Sequence, residues 1–491
     1  MITWGISANS HDAALSVWSN KELLFAAHSE RYSKIKNDGD LHPDLVSEAL
    51  YYGKPDLAIW YESPVLKTIR QFAAGQGWCW SENNVKDYLA KYNINCDIHT
   101  ATHHHSHAAA GYYTSKFKDA TVLCIDSIGE FETLSIWKGQ GSNLNKWFSQ
   151  SYPHSVGLWY SAMTQRIGLK PNEEEYILMG MAAYGDAGRL RDDILNDFFK
   201  SVQAPEIRFK TNLHRGCREW RPDLTTEQDM FDIAAATQSI YELVLQNLST
   251  YCRRNLNSSN LVLMGGCALN CSANSLITKD WDNVWIMPNP GDAGSSVGAV
   301  AGYFQEHIKW PGPYLGTDLG QKYPIPGLMK ELHKNQIAGV ATGRAEFGPR
   351  ALGHRSLLAD PRGPKIKDRV NEIKRRQKFR PFAPAILEEY ANEYFEMPAN
   401  IEQSPYMQFV AKCRFPELYP AIIHADGTSR VQTVGLDDNP GFRILLESWY
   451  EDTGCPMLLN TSLNIKGQPM VNDLADAQAF EEKYNIKVFT R

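Results

Sequence analysis

Residues 261–294 read LVLMGGCALNCSANSLITKDWDNVWIMPNPGDAG. The unbroken apolar run Leu261 to Met264 has the length of a buried strand, and Gly265-Gly266 supplies the turn that ends it. A helix is expected from about Ala268 to Ile277 and a strand from Val284 to Met287. The turn Gly291-Asp292-Ala293-Gly294 then launches a helix of small residues. A long helical pattern from about Glu227 to Arg254 precedes the whole stretch.

The first third of the chain has the same grammar. Residues 2–7 read as a strand, 13–18 and 22–28 as a hairpin about Ser19-Asn20-Lys21, and His42 to Gly53 as a helix stopped by glycine. Ala120 to Ile125 reads as a buried strand with Glu132 to Trp137 beside it. Two successive β-rich α/β units predict an α/β protein with a duplicated ribonuclease-H-like N-terminal domain, as in actin and sugar kinases, a fold that closes over a nucleotide. The turn-forming stretch Trp310 to Gly316 marks a linker. The first domain is therefore expected over 1–310, and 325–491, with its Arg, Pro and Asn in short loops, as a separate α+β domain.

Composition removes several classes. A hydrophobic content of 43% with 22% charged residues is globular rather than disordered or fibrous. With 50 Lys plus Arg against 56 Asp plus Glu, the formal charge of -6 gives no global field for polyanions, although a local basic patch remains open. Met1 leads straight into Ile2 to Ile6 with no basic start, and no apolar run is long enough to span a bilayer, so a cytoplasmic protein without a membrane partner is expected. The nine cysteines are scattered and odd in number, which predicts reduced thiols; Cys267 and Cys271 lack zinc spacing.

Chemistry concentrates in three places. His103, His104, His105 and His107 precede Ala108 to Ala110, so on a helix His103 and His107 share one face, as paired metal ligands do; capping or solvated histidines are the alternative. Carboxylates complete such a set. Asp126 stands at the end of a strand ahead of Ser127-Ile128-Gly129-Glu130, and Asp292 stands in the turn before the small-residue helix. Glycine turns offer backbone N–H groups to phosphate: Gly180 within Met179 to Gly185, and Gly265-Gly266 leading to Asn270. Downstream, Arg344, Arg350 and Arg355, then Lys374, Arg375, Arg376, Lys378 and Arg380, are interleaved with turn formers as phosphate-binding forks are; a solvated charge run is the alternative. The loop Asn460 to Gly467 adds Ser462 and Asn464.

At these residues the chain resembles the O-carbamoyltransferases that modify antibiotics and nodulation factors, over nearly its full length. The blocks that carry the resemblance are Gly5 to Ala8 with His11-Asp12, Glu30-Arg31, His103 to Ala109, Glu175-Tyr176 with Met179-Gly180, Gly265-Gly266, Gly291 to Gly294, Glu346 to Arg355, Arg380 to Pro384 and Leu459 to Asn464. The resemblance implies a threonylcarbamoyl-transfer-like N-terminal domain and a YrdC-like C-terminal domain. The second would turn carbamoyl phosphate and ATP, with magnesium, into carbamoyl adenylate and pyrophosphate; the first would hold the adenylate at a divalent metal, commonly iron(II), for transfer. It implies His103, His107, Asp126 and Asp292 as metal ligands, His11 as the base for the acceptor hydroxyl and Lys36 as a cation on the carbamoyl or phosphate group. Gly129, Glu130, Gly180, Gly265, Gly266 and Asn270 are expected at the N-terminal nucleotide. Arg344, Arg350, Arg355, Lys374, Arg376, Arg380, Arg430, Ser462 and Asn464 are expected at carbamoyl phosphate and ATP. Ile177 stands where lysine is usual, and Ser127-Ile128 where Gly-Val is common.

The acceptor is a hydroxyl on a sugar or natural product by family default. Arg208, Phe209, Lys210, His214, Arg215, Arg218, Trp220 and Arg221 mix cations with aromatics as strand-binding surfaces do, which adds a hydroxymethylated pyrimidine, free or in DNA. A threonylcarbamoyl-transfer protein acting on tRNA and a regulatory ATPase of the actin superfamily are the competing readings. The net charge and second domain argue against the former, and the second cationic region against the latter.

Overall fold

A computed structural model describes residues 1–320, 322–363, 365–377 and 379–490, so Lys378 of the cationic run lies outside the described residues. The fold is mixed α/β. Two five-stranded sheets share one strand order. The first uses β1 (Ile2–Ser7), β2 (Ala14–Ser19), β3 (Glu22–His28), β4 (Leu57–Trp60) and β5 (Asp97–Thr100) in the order β3-β2-β1-β4-β5. The second uses β6 (Asp119–Gly129), β7 (Glu132–Gln140), β8 (Asn143–Ser151), β9 (Asn260–Met264) and β10 (Asn283–Trp285) in the order β10-β9-β6-β7-β8. In each the first, fourth and fifth strands run parallel, which lets buried apolar runs such as Leu261 to Met264 be covered on both faces.

The chain divides into two compact units, and the division does not follow sequence order alone. Unit one holds residues 1–9, 16–22 and 53–310; unit two holds 10–15, 23–52 and 311–491. The later break falls in the turn-rich segment around Pro311. Residues 10–15 and 23–52, expected with the first domain, cluster instead with the later part. The reason is polar: Arg31 Nη2 donates to the Gly348 carbonyl at 2.8 Å, Tyr32 bonds Thr317 at 3.1 Å, and Lys34 is paired with Asp476.

Within unit one, α1 (Pro64–Ala73) follows β4, α2 (His103–Thr114) follows β5, the long α3 (Glu227–Asn255) precedes β9, and α4 (Ser295–Phe304) follows the Asp292 turn. A capping box at Thr226 and Asp229 starts α3. Helices α2 and α4 are built of small residues and approach closely: a Cβ on Gly298 would lie 1.8 Å from the Ser106 carbonyl oxygen. That approach fixes the histidine helix against the segment bearing Asp292. Strand β6 runs through Gly129 with an irregularity between Ile125 and Gly129, so Asp126 lies within an irregular strand rather than opening a loop.

Within unit two, β11 (Ile337–Ala341), β12 (Arg355–Ala359), β13 (Ala383–Leu387), β14 (Gln432–Val434), β15 (Met457–Ser462) and β16 (Val488–Phe489) form a sheet of order β14-β13-β15-β12-β11-β16. Helix α5 (Ile366–Lys374) ends at Lys374, and α6 (Pro440–Thr453) buries Phe442, Leu445, Leu446 and Trp449 in the unit's core. All nine cysteines are free, and among the described residues no helix is long and apolar enough to cross a membrane.

Candidate functional site

The helical repeat places His103 and His107 one turn apart, and the structure brings two distant carboxylates to them. His103 Nε2 lies 3.2 Å from Asp126 Oδ2, His107 Nε2 lies 3.2 Å from Asp292 Oδ1, and the two imidazole nitrogens are 3.1 Å apart. One ligand atom from each of the four buried residues falls within 4.8 Å of the others. Burial disfavours a charged His103, but the Asp292 and Asp126 carboxylates raise its pKa well above the usual histidine value. Asp126 is pushed up by burial and by Asp292, yet the His103 hydrogen bond and the charges of both histidines hold it well below the carboxylate range. Four buried donors converging through two imidazole nitrogens and two carboxylate oxygens fit a borderline first-row divalent metal.

Neighbouring groups hold this set in place. Ser295 Oγ lies 3.3 Å from His107 Nδ1, and the Tyr61 ring stands 5.3 Å from that of His103. The Gly266 N–H donates to Asp126 Oδ1 at 3.2 Å, and the Gly265 N–H to the Pro290 carbonyl at 2.9 Å. This turn, expected at a nucleotide, thus ties the Asp126 strand to the Asp292 segment; Gly265 adopts φ +87°, in the left-handed region that favours glycine. A Cβ on Gly129 would sit 2.0 Å from His103 Cδ2, so this glycine admits the imidazole. Gly129→Ala is expected to displace His103 and lower metal content, read by elemental analysis of the folded variant.

Among the other residues expected at the N-terminal nucleotide, Glu130 and Asn270 have their own local ties. Glu130 Oε1 accepts the Ser63 N–H at 2.5 Å, and burial raises its pKa to about 7. Asn270 caps the helix Cys271–Ile277 and exchanges amide hydrogen bonds with Gln238 at 2.9 and 3.0 Å. Gly180 has open space around its Cβ position. Sequence reading missed Ser295, Tyr61 and the buried Lys67–Glu62 pair at 2.6 Å. The hydroxyl directly after the Gly291 to Gly294 turn was the available signal for Ser295.

A second cluster lies in unit two. Lys374 Nζ donates to the Ser462 carbonyl at 2.6 Å, to Ser462 Oγ at 3.2 Å and to Asn464 Oδ1, uniting three residues expected together. Its pKa is depressed well below the ordinary lysine value by burial and then by Arg376, Arg380 and Lys36. Lys36 therefore belongs to the electrostatic surroundings of Lys374, in the same unit. Four cations gathered in this way suit an anionic ligand. Arg376 stacks over Phe382 at 3.9 Å and is braced by Asn371 Oδ1 at 2.7 Å. His11 is also in unit two, exposed, with Nδ1 3.2 Å from Asp12 Oδ2.

The remaining cations divide. Arg355 is fully buried and donates to the carbonyls of Asn472, Thr342, Gly343, His354 and Thr317. Its guanidinium is a cross-tie with no surface left for a phosphate, contrary to the sequence expectation. Arg344 likewise donates to the carbonyls of Leu24, Leu315 and Gly316. Glu346, unremarked as a lone residue in the sequence, organises the loop by accepting the N–H groups of Leu352, His354 and Arg355 at 2.8, 2.9 and 3.2 Å. Arg350 is half-buried, and Arg430 is half-buried at the end of the strand Thr428–Arg430. Arg355→Met should cost about 3 kcal/mol or more by orphaning several buried carbonyls, read as a lower denaturation midpoint.

A mixed α/β chain with a buried two-histidine, two-carboxylate cluster in one unit and a cationic cluster in the other has the equipment of a group-transfer enzyme. The comparisons supply its family. The family models described as carbamoyltransferase N-terminus and carbamoyltransferase C-terminus match residues 61–301 and 329–490. Nodulation protein NolNO of Sinorhizobium fredii is 32% identical, with 95% of this chain and 76% of that protein covered. Nodulation protein NolO of Bradyrhizobium diazoefficiens is also 32% identical, over 76% of this chain and 75% of that protein. The 3'-hydroxymethylcephem-O-carbamoyltransferase of Amycolatopsis lactamdurans is 26% identical, over 97% and 95%. The chain belongs to the carbamoyltransferase family and is a carbamoyltransferase.

Proposed function

We propose that the protein is an ATP-dependent O-carbamoyltransferase that makes carbamoyl adenylate from carbamoyl phosphate and ATP and passes its carbamoyl group to a hydroxyl. The observation that carries the reading is the pair of chemically distinct clusters, one cationic and one metal-ligating, in separate units of a carbamoyltransferase chain. The repeated strand order supports an actin- and sugar-kinase-like architecture for the N-terminal part. The second part is read as YrdC-like on the resemblance.

Carbamoyl adenylate keeps one phosphate, so pyrophosphate must leave ATP and phosphate must leave carbamoyl phosphate, with one water consumed. A carbamate oxygen bonds to the α-phosphorus as the bond to pyrophosphate breaks. Lys374, Arg376, Arg380 and Lys36 bind and orient these anions, with Arg350 and Arg430 as further contacts, while Ser462 and Asn464 hold the Lys374 ammonium. In transfer, the acceptor oxygen bonds to the carbamoyl carbon, AMP leaves, and the proton goes to His11. The Asp12 carboxylate at Nδ1 orients the His11 ring for this role. His103, His107, Asp126 and Asp292 would hold a divalent metal, with iron(II) the candidate from the resemblance; it would stabilise negative charge developing on the carbamoyl donor. ATP would carry magnesium.

The acceptor is a hydroxyl-bearing small molecule or a hydroxymethylated pyrimidine, free or in nucleic acid. Incubating metal-replete protein with ATP, carbamoyl phosphate and candidate acceptors should add about 43 Da to the true acceptor by mass spectrometry, the increment of one carbamoyl group. An increment that appears without carbamoyl phosphate contradicts the proposal.

A further inference from the structure

Unit one carries bare aromatics and, among its described residues, cations without an ion-pair partner. Helix α1 exposes Val65, Ile69 and Phe72, and Phe72 meets Trp78 edge to face at 5.9 Å; Phe72 is 61% and Trp78 64% exposed. Side chains at positions 65, 69 and 72 share one helical face, and a globular helix normally keeps such a stripe in the core. The platform is braced from beneath. Asn83 Nδ2 donates to Thr68 Oγ1 at 2.9 Å and to Gln71 Oε1 at 2.6 Å, and the buried Lys67 ammonium binds Glu62 and the Asn9 carbonyl, each at 2.6 Å.

The cations there sort by partner. Arg208 is paired with Glu206, and Arg221 with Asp193 and Asp223, so two members of the basic aromatic segment picked out in the sequence are already neutralised. Among the described residues Arg70, Arg215 and Arg218 have no ion-pair partner, and Arg70 Nε is buried without a hydrogen bond. Arg70, on α1, and Arg215 both bear on His214, whose pKa is lowered by burial and then by these two charges. The helix that carries the exposed aromatics and the free end of the basic segment therefore both bear on His214.

The same elements lead to the four-ligand centre. The Ser63 N–H, at the start of α1, is held by Glu130, next to the Gly129 that packs on His103. The Tyr152 N–H bonds the Phe131 carbonyl at 2.8 Å, and the Tyr152 ring meets His214 at 5.8 Å. From Ser63 to Phe72 the helix rises about 13 Å at 1.5 Å per residue. That is several times the roughly 3.4 Å step of one nucleotide along a strand.

We propose that α1 with Trp78 and the 212–218 loop forms a binding platform for a single nucleic-acid strand, which delivers the acceptor nucleotide to the four-ligand centre. Bases stack on Phe72 and Trp78, and phosphates lie on Arg70, Arg215 and Arg218. This rests on the carbamoyl-transfer reading for its purpose, but strand binding is measured without ATP or carbamoyl phosphate, so the two fail separately.

The test is fluorescence anisotropy of the full chain with a labelled oligothymidylate, titrated across salt. Binding should weaken steeply with salt. Arg70→Ala with Arg215→Ala should flatten the log–log slope by about 1.4, at roughly 0.7 per phosphate for single strands. Phe72→Ala with Trp78→Ala should weaken binding about tenfold or more with the slope unchanged, and these exposed positions leave the core intact. Arg208→Ala, whose charge is already met by Glu206, should bind as the parent does. Failure of the folded protein to bind at low salt, parent-like binding by both double variants, equal preference for duplex, or equal competition by thymidine monophosphate would each overturn the proposal. Strand binding that persists when carbamoyl-phosphate-dependent pyrophosphate release is absent would uphold the platform and refute the reaction.

Discussion

His107→Ala is expected to lose most of its bound metal and at least about 100-fold of transfer activity, while pyrophosphate release continues. His107 is fully buried, with Nε2 facing both Asp292 and His103, so removing it takes one of two nitrogen ligands from a four-donor set. The ligands all lie in unit one, whereas the Lys374 cluster lies in unit two and shares none of them. Elemental analysis by mass spectrometry and a pyrophosphate assay on the same preparation read the two effects. Full metal occupancy with normal transfer would return the histidines to a structural role.

The converse loss is expected of Lys374→Met. Pyrophosphate release should fall by about 100-fold or more, the scale for removing a preorganised charge from a reacting anion, while transfer from supplied carbamoyl adenylate survives. Methionine keeps much of the buried volume, and loss of the ammonium removes a donor shared by Ser462 and Asn464. A pH effect follows from the sign of the shift. Burial and neighbouring cations lower the lysine pKa, so its charge is lost at lower pH than an ordinary lysine's. Anion affinity should fall as pH rises through that depressed value, seen as a rising KM for carbamoyl phosphate. Equal loss of both half-reactions in a folded Lys374→Met would contradict the division of labour.

What was legible in the sequence follows from how local each signal is. His103 and His107 were readable because helical periodicity alone puts positions four apart on one face. Asp126 and Asp292 lie far along the chain, and turn chemistry only marked them; their place beside the histidines depends on parallel pairing of β6 with β9 and on the close approach of α2 to α4. The membership of Lys36 in the Lys374 surroundings was not legible, because the return of residues 23–52 to the later unit is decided by distant ties such as Arg31 to Gly348. Arg355 was assigned to phosphate because a guanidinium destined for backbone carbonyls looks the same in sequence as one destined for an oxyanion. Arg208 and Arg221 looked like free cations for the related reason that Asp193, 28 residues from Arg221, gives no sign of proximity.

The central claim is that ATP is split at its α-phosphorus only when carbamoyl phosphate is present. The direct measurement follows α-labelled and γ-labelled ATP in parallel with purified, metal-replete protein. The account predicts labelled AMP or carbamoyl adenylate, together with labelled pyrophosphate, only when carbamoyl phosphate is supplied. Formation of ADP and phosphate, or pyrophosphate release indifferent to carbamoyl phosphate, would contradict it.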